Sequence, residues 1–174
     1  DLVAELARDW LDGADRNRTR LIKHACRTLI KTGHPGVLAA FGFPPPDLRN
    51  VRLSLSPDTV NLGDDLVLTL SLTGGGVAQR LLIDYVLEFR RAHGGCSPKV
   101  FKWTETDLAP SETKCLEKVH AYRKVTTRKD YPGAQRALIQ INGRIVAEAP
   151  FELKLDRTEE NLRRDRSDRP VDRI

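Results

Sequence analysis

The sequence predicts a segregated α+β chain, with helices first and an all-β sandwich after them. Three observations predict it. Apolar residues recur at helical spacing from Asp1 to Gly42. Pro44-Pro45-Pro46 then ends helical structure. Beyond the prolines the apolar period drops to two, over seven short segments between Val51 and Leu155 with turn residues between them. Seven alternating strands of that length fit an immunoglobulin-like sandwich. Four regions follow: a helical region at 1–43, a proline-rich linker at 44–50, the sandwich at 51–155 and a charged flexible tail at 156–174.

The first helix is expected to run from Asp1 to Leu11, with Leu2, Val3, Leu6 and Trp10 on one side and Trp10 in the core. Asp12-Gly13 stops it. A single long helix follows, from about Arg18 to Thr32, with Asp15 near its N-cap and Gly33 as its C′ residue. His34-Pro35 opens a short third helix with an apolar face of Val37, Leu38 and Phe41. Three short helices do not close a core alone, so they read as the last layer of a stack that starts upstream. The chain has no methionine, and it is expected to continue before Asp1.

Strand readings follow in order: Val51 to Leu55, Leu66 to Leu72, Leu81 to Phe89, Val100 to Thr104, Cys115 to Tyr122, Ala137 to Ile141 and Ile145 to Leu155. Asn142-Gly143 predicts a two-residue hairpin turn. Gly74-Gly75-Gly76 reads as another hairpin, and Gly94-Gly95 and Tyr131-Pro132-Gly133 as further turns. From Asp156 onward six acids face six arginines with few apolar residues, which makes a tail unable to bury itself.

The 174 residues carry a net charge of +5, and the pI is about 9.3. That bias fits a polyanionic partner. No apolar run approaches a membrane span, and no membrane partner is expected. Cys26, Cys96 and Cys115 form neither a disulfide framework nor a zinc pattern. They read as reduced thiols in a cytoplasm. No cofactor and no metal are expected: His24, His34, His93 and His120 have no ligand spacing, and no phosphate loop or nucleophile elbow is present.

The sharpest functional signal is charge. No acid lies between Asp15 and Asp47. On the second helix Arg20, His24, Arg27 and Lys31 fall on one stripe, with Lys23 at its edge. Leu21, Ile22, Ala25, Cys26, Leu29 and Ile30 fall on the other side. A solvated helix face usually mixes signs, because like charges at i, i+4 repel. Phosphate is the anion that suits such a stripe; a plain solvated face is the other reading. A second basic segment holds Arg123, Lys124, Thr126, Thr127, Arg128 and Lys129, between Tyr122 and Tyr131. Cations, hydroxyls and aromatics together suit phosphate and sugar contacts, and again the alternative is a solvated loop with packed tyrosines. Lys99 and Lys102, around Phe101, form a third and weaker element, read as solvated lysines beside packed aromatics.

Several motifs resemble one family. The helical run Leu21 to Lys31, then Gly33-His34-Pro35 and Phe41-Gly42-Phe43, is similar to the last repeat of the bacterial DNA alkylation repair glycosylases built from HEAT-like repeats. Asp84-Tyr85, Phe89, Ser97 to Lys102, Leu108-Ala109-Pro110, Thr126-Thr127-Arg128, Tyr131-Pro132-Gly133 and Gln140 to Gly143 resemble the C-terminal immunoglobulin-like domain of the AlkC branch. The resemblance implies a HEAT-like repeat remnant followed by an immunoglobulin-like domain. It implies the DNA-binding portion of an alkylpurine N-glycosylase of the 3-methyladenine type, acting in base excision repair in a bacterial cytoplasm at the nucleoid. Its partners would be alkylated double-stranded DNA and N-terminal repeats of the same protein, in a monomer. Catalytic residues would lie upstream, so none is assigned here. A non-enzymatic interaction module is the competing expectation. A helix-turn-helix regulator fits less well, since a nearly all-cationic stripe lacks the Asn, Gln or Ser that read bases.

Overall fold

The computed structural model describes residues 1–123 and 129–155. Residues 124–128, in the second basic segment, and the tail at 156–174 lie outside the described residues. Four helices come first: α1 (Leu2–Leu11), α2 (Arg16–Ala25), α3 (Arg27–Lys31) and α4 (Pro35–Ala40). Eight strands follow: β1 (Leu48–Ser56), β2 (Thr59–Asn61), β3 (Asp65–Gly74), β4 (Gln79–Arg90), β5 (Cys96–Leu108), β6 (Thr113–Ala121), β7 (Gly133–Ile141) and β8 (Arg144–Lys154).

The strands form a three-stranded sheet, β1-β3-β6, packed on a five-stranded sheet, β2-β8-β7-β4-β5. The period-two reading puts the correct residues inside. Leu66, Leu68, Leu70 and Leu72 of β3 face Leu81, Ile83, Tyr85, Leu87 and Phe89 of β4, and Ile139, Ile141, Phe151 and Leu153 complete the core. Burying each such side chain contributes about 1.5–3 kcal/mol.

Two strand readings are corrected. The sandwich has an eighth strand, β2, which pairs parallel with β8. Only three residues long and flanked by Pro57-Asp58 and Gly63, it is too short to show a period. Gly74 to Gly76 is no hairpin, because β3 and β4 lie in different sheets. The glycines carry the crossover close to Asp47, whose carbonyl accepts from Gly75 N–H and whose carboxylate accepts from Gly76 N–H, both at 2.9 Å. The Asn142-Gly143 turn does join β7 to β8, with both residues at positive φ.

The helical readings need more revision. The expected single helix is interrupted at Cys26, where ψ is 5°. Its N–H still donates to Ile22 C=O and its C=O still accepts from Ile30 N–H, both at 2.9 Å, so the ladder crosses the interruption. On α1 the inward face is Ala4, Ala7 and Leu11, not Leu2, Val3, Leu6 and Trp10. Trp10 is 52 % exposed and Leu2 70 %, so Trp10 is not a core residue. Close approach explains the choice: a Cβ on Gly36 of α4 would sit 2.8 Å from the Ala4 Cβ, leaving room only for small residues between α1 and α4. Leu21 and Ala25 likewise face outward, while Ile22 and Cys26 are buried.

The helices dock on one end of the five-stranded sheet. Leu38, Phe43 and Leu82 make a small shared core there. Two turns touch backbone to backbone: a Cβ on Gly143 would lie 2.6 Å from Gly33 C=O, so both turns need glycine. Asn142 closes the junction. Its side-chain amide donates to Pro44 C=O at 2.7 Å and Arg80 C=O at 3.0 Å, and its oxygen accepts from Leu82 N–H at 2.7 Å.

Candidate nucleic-acid interface

Local capping places the basic stripe. The Asp15 carboxylate accepts from Arg18 N–H at 2.7 Å and starts α2. Gly33, at φ 79°, follows Thr32 and ends α3. Between these caps Arg20, His24, Arg27 and Lys31 are all exposed. Lys23 differs. It is half-buried, and its Nζ donates to Glu105 Oε1 of β5 at 2.9 Å.

The sandwich thus supplies acids that the helical sequence lacks. Glu105 also holds Lys102 at 2.6 Å and Arg80 at 3.0 Å. Burial pushes the Glu105 carboxyl up, but hydrogen bonds and charge from Lys102 and Lys23 outweigh that and hold it at about 2. Asp84 of β4 lies close by and is buried. Burial raises it to about 6, against the pull of Lys102 and Lys31 and with help from Glu105. Gln140 of β7 donates to Lys31 C=O at 3.3 Å. The inner edge of the stripe is therefore anchored to the sheet, while Arg20, His24 and Arg27 are exposed.

The second basic segment is described only at its ends. Arg123 is exposed. Lys129 is exposed, with its Nζ 5.6 Å from the centre of the Tyr131 ring. Lys124, Thr126, Thr127 and Arg128 lie outside the described residues. Of the flanking aromatics, Tyr122 belongs to the core. Tyr122 is fully buried and its hydroxyl donates to Gln135 Oε1 at 3.2 Å. His120 Nδ1 lies 3.0 Å from the Tyr85 hydroxyl, with its ring edge-on to Phe101 and Tyr122. Tyr131 is half-buried. Lys99 sits 5.2 Å over the Phe101 ring.

The loop ending at Gly133 and the turn beginning at Asn142 mark opposite ends of β7. At about 3.3 Å per residue they are roughly 25 Å apart. Sequence reasoning missed the Glu105 and Asp84 cluster, because its members are up to 82 residues apart. It also missed the outward apolar face of α1. Among the described residues no group of three His, Cys, Asp or Glu could hold a metal ion, and no helix is long and apolar enough to cross a membrane.

Residues 49–155 match the family described as the C-terminal Ig-like domain of the uncharacterised protein YhaZ. The chain belongs to this family. It is 31 % identical over 153 residues to the uncharacterised protein YhaZ of Bacillus subtilis (strain 168), covering 87 % of this chain and 42 % of that one. Among solved structures it is similar to the alkylpurine DNA glycosylase AlkC of Pseudomonas fluorescens, bound to DNA containing an abasic site analog. There the TM-score is 0.75 at 28 % identity, over 86 % of this chain and 43 % of AlkC. A β-glucosidase of Erythrobacter marinus, EmGH1, shares the fold alone, with a TM-score of 0.53 at 13 % identity over 63 % of this chain and 16 % of that enzyme. The chain spans about two fifths of the length of YhaZ and AlkC.

Proposed function

We propose that this chain is the C-terminal, DNA-binding portion of an alkylpurine DNA glycosylase that acts on alkylated double-stranded DNA in a bacterial cytoplasm. The observation that carries the reading is the likeness to DNA-bound AlkC, with a TM-score of 0.75 over 86 % of this chain. The acid-free helix supports it with a concrete binding surface. Arg20, His24, Arg27 and Lys31 stand exposed, and the arginines and lysine would neutralise phosphates without reading sequence. Arg123, Lys124, Thr126, Thr127, Arg128 and Lys129 would make a second contact.

In this reading the four helices are the last layer of a HEAT-like stack. The apolar stripe Leu2, Val3, Leu6 and Trp10, left exposed on α1, would be covered by earlier helices of the same protein. Those helices would also supply the catalytic carboxylate. The competing reading, a protein-docking module, draws on the same exposed stripe.

The test is charge reversal at Arg123, Lys124, Arg128 and Lys129, read by binding to duplex DNA. Lost binding supports the proposal. Unchanged binding favours the docking module. The chain alone should release no methylated base, and release of 3-methyladenine by it would overturn the upstream placement of the catalytic groups.

A further inference from the structure

One carboxylate, Glu105, gathers three cations from three different elements: Lys23 from α2 at 2.9 Å, Arg80 from β4 at 3.0 Å and Lys102 from its own strand at 2.6 Å. It is unlike an isolated surface pair, which contributes little. Its side chain is only 19 % exposed, and Lys23, at 41 %, leans into the junction instead of standing off the helix like its neighbours. Of the three pairs, only Lys23–Glu105 crosses from the helices to the sandwich. It does so beside the contact of Gly33 with Gly143 and the Asn142 amide. The same bond removes one amine from the basic face of α2.

We propose that Glu105 is a positioning residue: through Lys23 it locks α2 to the outer face of the five-stranded sheet, and it withholds that amine from anions in solution. Glu105 thereby sets both the angle at which the remaining stripe is presented and the number of cations it offers. The carboxylate occupies on Lys23 the place that a phosphate oxygen would otherwise take. The functional half of this inference rests on the duplex-binding reading above; the lock itself does not.

Two measurements on the full chain separate them. The first is brief amine acetylation followed by peptide mass spectrometry, with no nucleic acid present. Lys23 should react severalfold more slowly than exposed Lys31, and the gap should close in Glu105→Gln. Equal reactivity of Lys23 and Lys31 in the parent chain overturns the lock, and that comparison holds even if the variant folds poorly. Persistent protection of Lys23 in a folded Glu105→Gln overturns it too. The second is the affinity for an unmodified DNA duplex against salt concentration. Glu105→Gln should bind more tightly, with a salt slope steeper by about 0.9, the share of one added phosphate contact. The gain should vanish when Lys23→Gln is added. A variant that binds no more tightly than a binding parent overturns the withheld-amine role. If the parent binds no duplex while Lys23 is protected, the nucleic-acid reading fails and the lock stands.

Discussion

Replacing Asp84 by Asn should stabilise this protein at neutral pH. Asp84 sits on the outer face of β4 under the docked helices and is 7 % exposed. Burial raises its pKa from 3.8 to about 6, although Lys102 and Lys31 pull it down. The folded chain therefore holds this proton more tightly than the unfolded chain. The group imposes no cost below pH about 4, where both states are protonated. The cost grows as pH rises through about 6 and is then complete. A shift of about two units at 1.36 kcal/mol each sets an upper bound of about 3 kcal/mol. Urea unfolding of parent and Asp84→Asn between pH 3.5 and 8 isolates the effect, because Glu105 titrates in both and cancels. The variant should gain about 1–3 kcal/mol at pH 7.5, and the gain should disappear near pH 4. A variant less stable than the parent at pH 7.5, or a difference independent of pH, refutes the reasoning.

Other substitutions test the junction and the exposed helix face. Asn142→Ala removes three hydrogen bonds and strands Leu82 N–H; a loss of about 3 kcal/mol is expected in denaturant unfolding. Gly143→Ala forces Ala to φ 81° and drives its Cβ against Gly33 C=O. It should cost at least about 2 kcal/mol, read as a fall in Tm. Trp10→Ala should change the stability of this chain by no more than about 0.5 kcal/mol, as expected for a surface position. A loss of 2–3 kcal/mol at Trp10 would mean that it packs in a core after all.

What was legible in the sequence was local. Asp15, Gly33, His34-Pro35 and Asn142-Gly143 each act within about four residues, through a cap or a turn, and each stands where the residue type required. The inward faces of β3, β4 and β7 were legible because a half-buried strand writes its burial directly into alternation. What was not legible depended on partners far along the chain. The inward face of α1 was misjudged because two apolar stripes lie on that helix. The small one, Ala4 and Ala7, won because Gly36 allows close approach, and no pattern within α1 reports that. Gly74 to Gly76 has hairpin composition, but β3 had already found both its neighbours in β1 and β6. Arg20, His24, Arg27 and Lys31 are exposed, whereas the half-buried placement of Lys23 is not legible locally, because its partner Glu105 is 82 residues away.

In the proposed function α2 and α3 offer their basic stripe to nucleic-acid phosphate. The direct measurement is the affinity of the full chain for an unmodified DNA duplex as salt is raised, in the parent and in Arg20→Gln, Arg27→Gln and Lys31→Gln combined. All three side chains are exposed, so folding should be kept. Parent affinity should fall steeply with salt, and the triple variant should bind more weakly with a slope shallower by up to about 2.7, roughly 0.9 for each lost contact. Affinity indifferent to salt, or a triple variant that binds like the parent, would rule out phosphate binding by the stripe.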